Sequence, residues 1–123
     1  MITFSKIWME PTPWRTKQGL LLKEVQEDIQ VFDYGIEVDR IKKGFISDGN
    51  SFPFFIRLTW DDPWHQRYIG PALWHDQMLV EQDKWPHKWE VDLNYLKALR
   101  STGVSALEST LFYHAVRIKR SRP

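Results

Sequence analysis

The sequence predicts an α+β fold: an N-terminal antiparallel β region of three to five short strands packed on a C-terminal three-helix unit. Three observations predict it. Before Asn50, short runs alternate polar and apolar residues, the period of half-buried strands. After Asn50, apolar residues recur at three-and-four spacing, the period of an amphipathic helix. Helix start and stop signals punctuate that second half. The 123 residues are read as one domain, with 1–50 mainly β and 51–123 mainly α.

The β half opens without a clear pattern. Pro11–Gly19, with two prolines and a Lys-Gln-Gly turn signal, reads as irregular chain. Leu20–Val25 reads as a strand, and Gln30–Tyr34 as another. Beyond Gly35, Ile36, Val38 and Ile41 alternate with Glu37, Asp39 and Arg40, with one slip that suggests a bulge. Lys42-Lys43-Gly44 is a turn signal, and Phe45-Ile46 begins a further short strand.

In the α half, Asp61-Asp62 before Pro63 marks a helix start. The first helix is expected over Pro63–Val80, kinked or split at Gly70-Pro71. Trp85-Pro86 closes a loop, and the second helix is expected over His87–Thr102, stopped by Gly103. Ser105 and Glu108 form a capping box for a third helix that runs to about Arg120.

Composition bounds the function classes. Hydrophobic residues make up 42% and charged residues 27%, which fits a globular domain. Formal net charge is +1, so charge gives no strong nucleic-acid signal. Arg117, Lys119, Arg120 and Arg122 are read as a solvated helix end against a phosphate-binding patch. The absence of cysteine excludes disulfides and thiolate chemistry. Met1–Glu10 has no signal-peptide pattern, and no run approaches the ~20 apolar residues of a membrane span. The lack of cysteine suits a cytosolic setting. The seven tryptophans exceed what one small core absorbs, so at least one exposed aromatic patch is expected.

The most specific clue is acid on apolar helical faces. Ile69, Leu73, Asp76 and Val80 share one predicted stripe, and Asp92, Leu96 and Leu99 share another. A charge in a core-facing stripe is costly unless paired or metal-bound. Each aspartate lies about five residues from the interhelical loop, some 7 Å along its helix, so the two should face each other. Arg117 falls near the same level, as does His114 on the stripe Leu107, Leu111, His114 and Ile118. His75 points about 100° away from Asp76, toward the edge of the same cleft. His65 and His87 are read as structural or exposed. The loop Ser47-Asp48-Gly49-Asn50-Ser51 is either a simple turn or a polar loop carrying Asp48 and Ser51 over that cleft.

The order Gly44-Phe45-Ile46-Ser47-Asp48-Gly49-Asn50-Ser51-Phe52-Pro53, His75-Asp76, Val91-Asp92 and Tyr113-His114-Ala115-Val116-Arg117 resembles the domain of unknown function family thirteen-fifty-three. Gly44, Phe45, Asp48, Gly49, Ser51, Pro53, His75, Asp76, Asp92 and Arg117 match its pattern. Asn50, Trp74 and Val91 depart from it and would reshape the pocket while leaving the polar set. The resemblance implies phage or prophage context, with the host cytoplasm or a virion as the expected setting, and a site location. It implies no chemistry.

Two functions follow. The first is a non-catalytic phage-type accessory protein, a virion, tail-assembly or host-interaction component with phage or host proteins as partners, built around a buried Asp/His/Arg network. The alternative is a metal-dependent hydrolase-like enzyme. There His75, Asp76 and Asp92 are the catalytic candidates, Asp48, Ser51 and Arg117 the binding ones. His75, Asp76, Asp92 and Asp48 would hold zinc, manganese or magnesium. No His-Glu-x-x-His, Gly-x-Ser-x-Gly or phosphate-loop motif accompanies them.

Overall fold

A computed structural model describes residues 1–17, 19–49 and 66–118. The β half holds β1 (Ile2–Phe4), β2 (Met9–Arg15), β3 (Leu21–Val25), β4 (Ile29–Asp33), β5 (Ile36–Ile41) and β6 (Ile46–Ser47). They form two three-stranded antiparallel sheets, ordered β1-β4-β5 and β2-β3-β6. The helices are α1 (Gln66–Val80), α2 (Lys88–Ser101) and α3 (Ala106–Ile118). The fold is therefore α+β, with the strands preceding the helices. No described helix is long and apolar enough to cross a membrane.

Six strands exceed the three to five expected, because β1 and β2 arise where the sequence shows no clean alternation. β2 contains Pro11 and Pro13 and is the outer strand of its sheet. Proline is tolerated there because an edge strand has one side without ladder partners. Its register with β3 shifts between Pro11 and Arg15.

Tyr34 and Gly35, both with positive φ, make the tight turn between β4 and β5. The slip in the alternating pattern is a bulge: Val31 pairs Asp39, Phe32 pairs Glu37, and Val38 is left over. That extra residue reverses the phase of the strand. Ile36 and Val38 are 70% and 41% exposed, while Asp39 and Ile41 point inward. Asp39, expected on the solvent side, is satisfied by Trp74 Nε1 at 2.7 Å and Lys84 Nζ at 2.8 Å.

One core joins Ile2, Val25, Ile29, Val31 and Ile41 to Leu73, Trp74, Met78 and Val91. A second lies among the helices, around Tyr68, Tyr95, Leu99, Val104 and Phe112. Gln77 ties α1 to β5: its Oε1 accepts from Lys42 N at 2.8 Å, and its Nε2 donates to Arg40 O.

The expected start of α1 at Pro63, and His65, lie outside the described residues. The helix ends at Val80 as expected but runs unbroken through Pro71. Proline has no N–H for the carbonyl four residues back, which is Arg67 O. Thr102 Oγ1, beyond the end of α2, donates to that carbonyl at 2.7 Å. The next helix thus supplies the hydrogen bond that Pro71 omits.

Gly103, with φ +90, closes α2, and Val104 N donates to Leu99 O at 3.1 Å. Half of the capping box forms, with Glu108 N donating to Ser105 Oγ at 3.2 Å. The Glu108 carboxylate accepts instead from Tyr68 Oη at 2.8 Å, pinning α3 to α1. The α3 stripe is rotated from expectation. Leu107, His114 and Ile118 are exposed, and Ser109 and Phe112 are buried. Trp8, Trp14 and Trp89 are exposed, whereas Trp74 is core; Trp60 and Trp64 lie outside the described residues.

Candidate functional site

Asp92 is fully buried and receives side chains from all three described helices. Its Oδ1 lies 2.7 Å from His75 Nε2 of α1. Its Oδ2 accepts from Lys88 Nζ at 2.6 Å, one turn earlier on α2, and from Arg117 Nη1 of α3 at 3.0 Å. Lys88 Nζ also donates to the Val116 carbonyl. Three donors thus converge on one carboxylate, the condition under which a buried acid can remain charged.

The electrostatics follow. Burial alone would raise the Asp92 carboxyl, but hydrogen bonds from His75, Lys88 and Arg117 outweigh it and hold the group below its ordinary range. Burial alone would lower His75, yet the carboxylates of Asp76 and Asp92 outweigh burial and raise the imidazole above its ordinary value. The Tyr95 ring, 4.8 Å from the imidazole between centroids, closes another side.

Asp92, His75 and Arg117 meet in one cluster: the stripe pointed to Asp92, level alone to Arg117, and His75 was expected only at the cleft edge. Asp76 does not occupy the inward position. It is His75 that meets Asp92 across the helix pair, and Asp76, one residue on and about 100° around, is 37% exposed. Its Oδ1 lies 3.8 Å from His75 Nδ1, and its Oδ2 accepts from Ser47 Oγ at 3.1 Å. Ser47 Oγ accepts in turn from Gly49 N at 3.0 Å. Interactions thus run from the buried Asp92 through His75 to Asp76 and the loop after β6.

Asp48 lines a cleft of about 490 Å³ beside Asp76, between that loop and the end of α1. Ser51 lies outside the described residues. His114 is exposed, and His87 stacks near Trp89 with ring centroids 6.2 Å apart. Sequence reasoning missed Lys88 and Ser47. Lys88 carried a usable signal, since it stands four residues before Asp92 on one helical face.

The donors do not fit a metal centred on Asp92. Both of its oxygens are engaged, and the Lys88 ammonium and Arg117 guanidinium occupy the space a dication would need. Among the described residues, no group of three or more His, Asp or Glu side chains is arranged to hold a metal ion.

This is an α+β domain whose three described helices are joined by one buried carboxylate and whose loop motif borders a cleft lined by Asp48 and Asp76. The chain belongs to the family described as protein of unknown function (DUF1353), which matches residues 23–116. Comparison with curated proteins and with solved structures found no match.

Proposed function

We propose that the chain is a non-catalytic accessory protein of phage type, a virion, tail-assembly or host-interaction component acting in the host cytoplasm or on the particle. The observation that carries the non-catalytic part is the saturation of Asp92: His75, Lys88 and Arg117 use both of its oxygens. A carboxylate so engaged has little capacity to bind a metal or exchange a proton with a substrate, and it suits a structural role. The phage part rests on the family resemblance. The exposed indoles of Trp8, Trp14 and Trp89 suit contact with other proteins.

One observation favours the alternative, a metal-dependent hydrolase-like enzyme. Asp76 stands partly exposed at a cleft with an imidazole behind it. That reading keeps Asp76, His75 and Asp48 as its residues and loses Asp92 as a metal ligand.

Thermal denaturation separates the two. The protein is stripped with chelator, then melted with magnesium, manganese or zinc added singly. A ligand at about a hundredfold its Kd stabilises by about 2.7 kcal/mol, enough to shift the midpoint by several degrees. The accessory reading expects no such shift, and the chain in purified phage particles or in complex with a host protein. A metal-dependent shift abolished by Asp76→Asn, with metal-dependent hydrolysis, overturns it.

A further inference from the structure

We infer that the cleft between β6 and the C-terminal end of α1 receives a lysine or arginine side chain from an extended segment of a partner protein. This rests on the interaction-component reading above.

The cleft has two chemically different parts. Leu22, Phe45, Leu79 and Val80 give it an apolar wall. Val80 is 67% exposed and the neighbouring Ile46 39%, so this wall is left uncovered by the described residues. Among the described residues, the charged ones lining it are Asp48 and Asp76, both acids. An apolar wall ending at the Asp76 carboxylate complements a side chain with a hydrocarbon stem and a cationic tip, which is the build of lysine and arginine.

Asp76 is prepared for such a tip. Ser47 Oγ holds one of its oxygens at 3.1 Å, fixing the carboxylate. The cations around Asp92 are committed to it: Lys88 and Arg117 are bound to Asp92, and His75 makes its shorter contact, 2.7 Å against 3.8 Å, with Asp92. These three groups gather on the buried acid, and Asp76 stands partly exposed at the cleft.

The backbone beside the cleft favours a peptide. β6 pairs with β3 on one side and, among the described residues, has no strand on the other. A free strand edge pairs with an extended segment, whose alternate side chains then point to one face. At about 490 Å³, the cleft accommodates one long side chain with its flanking residues.

The test is an amide-resolved NMR titration of the full chain. The probes are three blocked tripeptides, Val-Arg-Val, Val-Lys-Val and Val-Glu-Val, with arginine ethyl ester and magnesium chloride beside them. The two basic peptides should shift resonances of Ile46–Gly49 and Leu79–Gln82, and the acidic peptide should not. Asp76→Asn keeps an oxygen for Ser47 while removing the charge, and should weaken the basic peptides about tenfold or more. Val80→Ser should weaken them severalfold, with the remaining spectrum unchanged. Equal binding of the acidic peptide, shifts away from the cleft, no binding, or wild-type affinity in Asp76→Asn would overturn the inference. Equal affinity for arginine ethyl ester would assign the cleft to small amines instead, and preferential binding of magnesium would assign it to a metal. Failure with the peptides alone removes this inference only. Metal-dependent hydrolysis removes the reading beneath it.

Discussion

His75 Nε2 lies 2.7 Å from Asp92 Oδ1, so the seam between the first two helices is fastened at that level by a hydrogen-bonded imidazole and carboxylate. Lys88 and Arg117 extend the fastening to the third helix. The same imidazole reaches toward Asp76, and Asp76 holds Ser47 of the second sheet. One residue therefore links the helical interior to the loop that borders the cleft.

Removing the central acid should be costly. Asp92→Ala leaves Lys88 buried without its carboxylate and frees His75 and Arg117. Breaking a buried ion pair from one side typically costs 3–5 kcal/mol, so a loss of about that size is expected in urea denaturation. The double variant Lys88→Met with Asp92→Leu should recover much of it, because no buried charge at those two positions then lacks a partner. A single-variant loss under about 1 kcal/mol would mean that the network is not structural.

Stability should vary with pH in a defined sense. His75 is raised from an ordinary value of 6.5, so its contribution is full below that pH and fades as pH rises through the folded value. Asp92 is lowered from 3.8, so its contribution is full above that pH and fades as pH falls through its folded value. Both contributions are present together between about pH 4 and 6.5. Urea midpoints should be highest there and decline on the alkaline side. His75→Gln should flatten that alkaline decline, and an NMR titration of the His75 ring should show the raised value directly.

What was legible in the sequence follows periodicity. Asp92 and its approach to Arg117 were visible because a charge interrupts an apolar helical stripe, and only a few partners lie at its level. His75 was visible as a candidate, but which member of the His-Asp doublet turns inward depends on helix rotation, which no local signal fixes. The bulge at Val38 shows the same limit in the sheet: one extra residue placed Asp39 inside and Ile36 outside. The α3 stripe failed for a related reason. Two faces of that helix carry apolar residues, and packing against Tyr68 and Tyr95 selected the one bearing Phe112.

Gly70 should resist even a methyl group. A Cβ built there would lie 2.7 Å from Phe4 Cδ2, and the Phe4 ring packs edge-on against Trp74 with centroids 6.3 Å apart. Gly70→Ala gains helix propensity of about 1 kcal/mol. Displacing a packed ring typically costs 1–3 kcal/mol, so a net loss of about 1 kcal/mol is expected. Phe4→Leu in the Gly70→Ala background should be less damaging than Phe4→Leu alone, which a double-mutant cycle measures. Additive losses would show that the ring moves aside freely.

The final prediction concerns Pro71 and Thr102. Pro71 leaves Arg67 O without its helical donor, and Thr102 Oγ1 donates to that oxygen at 2.7 Å. Thr102→Val keeps the side-chain shape but removes the hydroxyl, so the carbonyl loses this bond. An unsatisfied buried acceptor costs about 1–3 kcal/mol, and this one is partly buried, so about 1 kcal/mol is expected. The same variant in a Pro71→Ala background should cost less. Alanine at position 71 restores the N–H that serves Arg67 O, making the hydroxyl redundant. The expected sign is a positive coupling between the two sites, read from urea denaturation of the four proteins. Thr102 Oγ1 also lies 3.2 Å from Ala98 O and 3.1 Å from Leu99 O, as a helix-end threonine does. If those contacts carry the effect, the loss will be the same with proline or alanine at position 71, and the hydroxyl merely caps its own helix.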